Sequence, residues 1–275
     1  MALGGRALEY QSPRPHLLQM SPKAPAPLAL RFVLIDTSHP GNIGAVARAM
    51  KNMAIDDLVL VNPKQFPDPE ATARASGADD VLARARVTAT LAEALEGCGY
   101  VMATTARERD QVFRVLEVRE AAQRLVAEAR SAPAGQSVAV LFGTERFGLT
   151  NEQLQSAHAL LRIPANPDYE SLNIAMAAQL ISYELLMARR SGEAVILAPR
   201  EVPLAAPVDM ERLYVHLQQV MDEVDFRDRT QSGMHLMNRI RRFLNRAELD
   251  VNEVNILRGF LTSVQSRRRN AGSPR

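Results

Sequence analysis

The sequence predicts an α/β fold built on a parallel sheet, followed by a separate group of amphipathic helices. Three observations predict it. Between residues 30 and 163, short apolar runs alternate with stretches at helical spacing, as when helices cover both faces of a sheet. Beyond residue 207 the apolar residues recur only at helical spacing. With 275 residues, 47% of them hydrophobic, the chain can bury the core of one large domain or two.

Residues 1–29 hold five of the 16 prolines and no periodic apolar pattern, and read as a flexible tail. Phe32–Ile35 is the first buried strand, and Ile43, Val46, Ala47 and Met50 mark the first helix. Leu58–Val61 is the next strand, Thr90–Glu96 is helical, and Tyr100–Ala103 is a strand. Glu117–Arg130 is helical, Val138–Phe142 is a strand, and Leu160–Ile163 is the last, ended by Pro164. The helix from about Leu172 to Arg190 carries two apolar stripes. One is Ile174, Ala177, Ala178, Ile181 and Leu185; the other is Leu172, Met176, Leu180, Tyr183 and Met187. A helix apolar nearly all round is buried on both sides, which predicts the sheet on one side and a partner subunit on the other.

This α/β body spans 30–191, and residues 192–208, with three prolines, form a linker. Three helices centred on Leu213–Leu217, Met237–Leu244 and Leu257–Leu261 make a small all-helical extension over 209–266. Asp250 and Glu253 form a capping pair opening the third. A basic, polar tail, 267–275, closes the chain.

The net charge is only +2, yet 30 of the 33 basic residues are arginine. Residues 31–199 carry 17 basic against 20 acidic residues, and residues 207–275 carry 12 against nine. Phe226–Arg246 alone holds six arginines, Arg227, Arg229, Arg239, Arg241, Arg242 and Arg246, against one aspartate. They form either a solvated surface or a nucleic-acid contact. The single cysteine, Cys98, excludes an internal disulfide and a cysteine-rich zinc site, and fits a reducing compartment. The five histidines show no metal-ligand spacing, so no metal is expected. No apolar run is long enough to span a membrane, and the N-terminus lacks the apolar core of a secretion signal. A P-loop and a dinucleotide-binding Gly-x-Gly-x-x-Gly are both missing.

Three loops sit where open α/β sheets place ligands. Thr37–Arg48 joins a strand to a helix. Arg48 lies four residues after Gly44 and leans back over it toward the loop mouth near Asn42, a placement that suits an anion. A plain glycine turn with a surface-paired arginine is the competing account. Phe142–Asn151 places two glycines around Glu145-Arg146, then a helix start with Thr150 as cap. It is either a ligand loop or an ordinary junction. Ile163–Asn173 opens the doubly apolar helix; capping accounts for Ser171 completely and for Asn173 less well.

Taken together the loops resemble the SPOUT superfamily of RNA methyltransferases, in its SpoU branch. The match is Asn42-x-Gly44-x-x-x-Arg48, then Phe142-Gly143-x-Glu145-x-x-Gly148-Leu149, then Ile163-Pro164 leading to Ser171-Leu172-Asn173-x-Ala175. The stretches Asp36–Gly44, Leu60–Pro63 and Ala165–Tyr169 narrow the resemblance to the TrmJ-type tRNA 2′-O-methyltransferases, which modify the ribose of nucleotide 32 in the anticodon loop and carry a C-terminal helical extension.

The resemblance implies a Rossmann-like sheet with a C-terminal trefoil knot, and a homodimer formed through the knot region. Knots are otherwise nearly absent from proteins, so this expectation rests on the family alone. It implies that S-adenosylmethionine binds in the knot against Thr104, Thr105, Ala106, Gly143, Ile163, Glu170, Ser171 and Leu172. It assigns catalysis to Arg48, with Asn42, Glu145, Ser171 and Asn173 in support. Either Arg48 takes the proton of the 2′-hydroxyl, or it stays charged, grips a phosphate and positions the ribose. Asn42 is expected to orient Arg48 or the ribose. Glu145 is expected to hold the loops together, with an arginine as one possible partner. The arginines of the extension are expected to contact the tRNA backbone, and the cytoplasm is the expected compartment. The same chemistry on ribosomal RNA, and a catalytically silent RNA-binding module, remain as alternatives.

Overall fold

Each apolar run becomes a buried strand, and the polar punctuation between them becomes loops and short helices. The structure, a computed structural model, describes residues 28–106, 113–191, 202–226 and 234–271. In chain order the elements are β1 (Leu30–Ile35), α1 (Pro40–Asn52), β2 (Asp57–Val61), α2 (Pro69–Ala75), α3 (Asp79–Arg84), β3 (Arg86–Thr88), α4 (Leu91–Ala94), β4 (Cys98–Thr105) and β5 (Val115–Glu117). Then come α5 (Val118–Ser131), β6 (Ser137–Phe142), α6 (Asn151–Leu154), β7 (Ala159–Arg162), α7 (Ile174–Arg190), α8 (Pro207–Glu223), α9 (Met234–Ala247) and α10 (Val251–Ala271).

The seven strands form one parallel sheet in the order β3-β2-β1-β6-β4-β7-β5. Phe32 sits between Leu58 and Val140, and Val140 pairs onward with Met102. Alternation along the strands divides the core in two. Phe32, Leu34, Leu60, Met102, Val140 and Phe142 pack with α1, α5 and α7 on one face. Val33, Ile35, Val59, Val101 and Leu141 pack with Leu149 and Leu154 on the other. From β1 the chain winds outward to β2 and β3, whereas β4 and β7 lie across β6 on the other side. The carboxyl ends of β1, β6, β4 and β7 therefore open together beside a topological switch point, where open sheets bind ligands.

Two strands and two helices go beyond the apolar pattern. The edge strands β3 and β5 are three residues long, and of β5 only Leu116 is buried. Helix α2 is set by Asp68, whose side chain accepts from the Glu70 amide, and by Pro69 at the first helical position. Helix α3 completes the same short linking segment.

Helix α7 begins at Ile174 rather than Leu172. Its stripe of Ile174, Ala178, Ile181 and Leu185 is buried in the body. Met176, Leu180, Tyr183 and Met187 lie exposed, at 59%, 43%, 47% and 38%. The second burial predicted for this helix is not supplied by the described residues.

Helices α8, α9 and α10 share a third core, with Leu213, Tyr214, Met237, Leu244, Val254 and Leu261 at its centre. Asp250 and Glu253 exchange side-chain and backbone hydrogen bonds at the start of α10, as expected. That helix runs on to Ala271, so Arg267 extends it instead of opening a tail. A polar seam joins these helices to the body. Gln155, just after α6, donates to Asn238 at 2.9 Å and accepts through its carbonyl from Asn245, which also accepts from the Tyr214 hydroxyl. Arg124 on α5 bonds Glu128 at 2.7 Å and Glu248 at 2.7 Å, with its guanidinium 5.2 Å from the Tyr100 ring centroid.

Candidate active site

The first turn of α1 has no acidic residue of its own, and its N-cap, His39, makes no side-chain capping bond. Glu145, from the loop after β6, supplies the missing charge. Its carboxylate accepts from the Ser38 amide at 3.2 Å, the Ser38 hydroxyl at 2.9 Å and the His39 amide at 3.3 Å. A carboxylate at the positive end of a helix is favourably placed. The Asn42 side chain adds a fourth donor at 3.0 Å.

A second amide extends this cluster to the third loop. Asn173 donates to Asn42 at 3.1 Å, while its own oxygen accepts from the Ala175 amide at 2.9 Å. Each amide group is thereby fixed: the oxygen of Asn173 is engaged at the helix end, so its nitrogen points at Asn42, whose nitrogen in turn faces Glu145. Three loops remote in sequence are locked in one chain of hydrogen bonds. The cap of α7 is Asn173, not Ser171, because the helix starts two residues later than the apolar spacing suggests. Ser171 is exposed and, among the described residues, makes no hydrogen bond.

Among the described residues Glu145 pairs with neutral donors and with no arginine. Partial burial pushes its carboxyl up, but the hydrogen bonds from Asn42, its own backbone and Ser38 outweigh that and hold it below the usual glutamate value.

Beside this lock lies a cavity of about 330 Å³, within the size range of small-molecule sites. All eight residues expected at the cofactor line it: Thr104, Thr105, Ala106, Gly143, Ile163, Glu170, Ser171 and Leu172. Thr104 turns its hydroxyl to the Leu141 carbonyl at 2.9 Å, tying the end of β4 to β6. Gly143 has to be glycine, since a Cβ there would lie 2.2 Å from the Gly148 carbonyl carbon. The loop closes back on its strand through that contact, with Thr144 and Gly148 exchanging backbone hydrogen bonds.

Arg48 stands on α1, six residues or about 9 Å along the axis from Asn42. It is exposed and has no hydrogen-bond or ion-pair partner among the described residues. The bareness of Gly44 serves a different purpose from the one expected. A Cβ at Gly44 would meet the Ala71 carbonyl oxygen at 1.9 Å, so the glycine lets α2 pack directly on α1.

The arginines of the extension separate into kinds. Arg239 and Arg246 are exposed on α9. Arg242 donates to the Asn238 carbonyl at 3.1 Å. Arg241 is spent internally: it grips Glu211 with two bonds at 2.5 and 2.7 Å and lies 4.4 Å from the Tyr214 ring centroid. Arg227 and Arg229 lie outside the described residues. Sequence reasoning missed Ser38 as a ligand of Glu145, and Asn238 and Asn245 as seam residues. Two asparagines seven apart on one face of an amphipathic helix were the available signal for the seam.

Residues 29–183 match the SpoU rRNA methylase family, and residues 208–273 match the C-terminal domain of tRNA methyltransferase TrmJ. The tRNA (cytidine/uridine-2′-O-)-methyltransferase TrmJ of Yersinia enterocolitica is 45% identical over 239 residues, 86% of this chain and 91% of that protein. The protein of the same name from Cronobacter sakazakii is 47% identical over 242 residues, 87% of this chain and 97% of that one. The crystal structure of TrmJ from Z. mobilis ZM4 superposes with a TM-score of 0.73 at 32% identity, covering 86% of this chain and 98% of that one. With two of the family's loops lining one cavity, the third tied to them by hydrogen bonds, and both halves of the chain matched, this protein belongs to the SpoU methyltransferase family, in its TrmJ branch.

Proposed function

We propose that the protein transfers a methyl group from S-adenosylmethionine to the 2′-hydroxyl of nucleotide 32 in the tRNA anticodon loop. The observation that carries this is the hydrogen-bonded lock of Asn173, Asn42 and Glu145 between the cavity and α1, the helix that holds Arg48, unpaired among the described residues. The names of its relatives support tRNA and the 2′-oxygen.

The cavity fits the cofactor in its chemistry. Leu161, Ile163, Leu172, Ile174 and Ala177 supply apolar wall for a purine, and Thr104, Glu170 and Ser171 supply polar groups for the ribose and the cationic amino-acid end. When bound, S-adenosylmethionine supplies a methyl group activated by a positive sulfur. This chain's residues then have to place one hydroxyl oxygen in line with that methyl. Arg48 stays a cation and holds the phosphate next to the target ribose, because a guanidinium does not give up its proton in a protein. The hydroxyl proton would leave to the phosphate that Arg48 holds or to water. Asn42, fixed between Asn173 and Glu145, orients the groups around the ribose, and Ser171, which lines the cavity, does the same.

The exposed stripe of α7 supports a homodimer, since four large apolar side chains on one face call for a cover. The insertion of β7 between β4 and β5 supports a trefoil knot closed by the following loop and α7. Helices α8 to α10 act as an all-helical RNA-binding domain, with Arg239 and Arg246 on phosphates. The enzyme works in the cytoplasm, on its tRNA.

The test is incubation with labelled S-adenosylmethionine and total cellular RNA, with methylated riboses mapped by mass spectrometry. Label at nucleotide 32 of tRNA is the expected result. Label confined to ribosomal RNA, or no label, overturns the proposal.

A further inference from the structure

We propose that Phe147 and Tyr169 form a stacking platform for the base of the target nucleotide, so that the base is held by its face and not read by its edge. The proposal rests on the function proposed above. Phe147 is 76% exposed and Tyr169 78%, more than any other large apolar side chain among the described residues. Exposing two rings costs the protein apolar surface in water, which marks a contact site.

Neither ring sits on a loose tip. Phe147 lies inside the turn closed by Thr144 and Gly148, and its amide donates to the Thr144 hydroxyl at 3.2 Å. Tyr169 closes the turn from Asn166, to whose carbonyl its amide donates at 2.8 Å, while the Asn166 side chain accepts from the Asp168 amide at 3.1 Å. Both turns belong to loops that line the proposed methyl-donor cavity: Phe147 lines it directly, and Pro167 and Glu170 line it on either side of Tyr169. A nucleotide whose 2′-oxygen reaches the cavity has to bring its base to this rim.

The Arg146 guanidinium lies 5.4 Å from the Phe147 ring centroid. An exposed ring with an arginine beside it suits an unstacked base on an anionic backbone, the way single-stranded RNA loops are bound. Every base has a π-face, so such a platform accepts either pyrimidine.

The test uses an anticodon stem-loop hairpin with the fluorescent base pyrrolocytosine at the target nucleotide, whose emission falls on stacking. Binding to the wild-type protein is expected to quench it, and Phe147→Ala with Tyr169→Ala to abolish the quench. For full tRNA, kcat/KM is expected to fall about five- to a hundred-fold in each alanine variant, the range that one aromatic–base stack supplies. S-adenosylmethionine affinity is expected to stay at the wild-type value in Tyr169→Ala, whose ring does not line the cavity, the sedimentation coefficient to stay unchanged in both alanine variants, and Tyr169→Phe to keep full activity. No quench with the wild type, or a quench that survives both alanines, overturns the platform. Weakened cofactor binding in Tyr169→Ala overturns it by assigning that ring to the cofactor, and dissociation into monomers by assigning the rings to the subunit contact. A wild-type protein that quenches but leaves nucleotide 32 unmethylated overturns the proposed function and leaves the platform standing.

Discussion

Glu145 and Arg124 each gather segments more than a hundred residues apart, and they do it with opposite chemistry. Around Glu145 the donors are neutral: two backbone amides, a hydroxyl and a side-chain amide. Around Arg124, between the body and the C-terminal helices, the bonds are ionic, to Glu128 and Glu248. The same division separates the arginines. Arg48, on the helix whose start the neutral cluster holds, has no hydrogen-bond or ion-pair partner among the described residues, while Arg241 in the C-terminal helices is consumed by Glu211 and Tyr214. Where the proposed function needs a cation for an anionic ligand, the described fold holds itself together without using it. Where arginines serve architecture, carboxylates are supplied.

The largest test of that division is Arg48→Ala. Because Arg48 is exposed and makes no hydrogen bond or ion pair within the described residues, its loss is expected to leave the melting temperature unchanged. Methyl transfer is expected to fall by at least about 100-fold, the scale of losing one preorganised charge stabiliser. Near-normal turnover measured with labelled cofactor would break the contrast at its stronger end.

Glu145→Gln sharpens the same contrast from the structural side. The substitution keeps the shape, but puts an NH₂ group against donors that need an acceptor. A drop of about 10- to 100-fold in kcat/KM is expected, from misplaced loops rather than lost chemistry. The pH dependence has a definite sign. The carboxyl is held below its ordinary value of 4.5, so its contribution is fully present above that pH and is lost as pH falls through the lower folded value. The stability difference between the wild type and Glu145→Gln is therefore expected to shrink only below pH 4.5. A difference that shrinks between pH 6 and 8 would show that another group governs the loops.

The contrast also explains what was legible in the sequence. Strands β1, β2, β4, β6 and β7 announce themselves because a strand buried on both faces has to be apolar throughout. Arg86-Val87-Thr88 does not, because an edge strand facing water has no such constraint. The eight cavity residues were legible through the family resemblance, as loops at strand ends. The acceptor role of Glu145 was not, since its partners lie 103 to 107 residues away and no local pattern encodes them. Nor was the role of Gly44 at the α1–α2 contact, because α2 is short and, apart from Ala71 and Ala75, unburied. The six arginines between Phe226 and Arg246 looked alike in the sequence, and only the fold tells Arg241 from Arg239 and Arg246.

That last distinction gives the smallest and most discriminating prediction. A phosphate contact releases counterions, so removing one lowers the slope of log K against log salt by about 0.7–0.9. Arg239→Ala and Arg246→Ala are each expected to flatten the slope for tRNA by up to that amount while leaving stability unchanged. Arg241→Ala is expected to do the reverse. Its guanidinium is bound to Glu211 at both ends and stacked on Tyr214, so it has little left to offer a phosphate. Its loss is expected to cost about 1 kcal/mol of stability, the scale of one bidentate pair with a cation–π contact, and to leave the slope as it was. Salt titrations of the three variants decide the matter. Equal flattening in all three would mean that Glu211 releases Arg241 to the RNA, and that arginines at this end of the molecule serve both purposes after all.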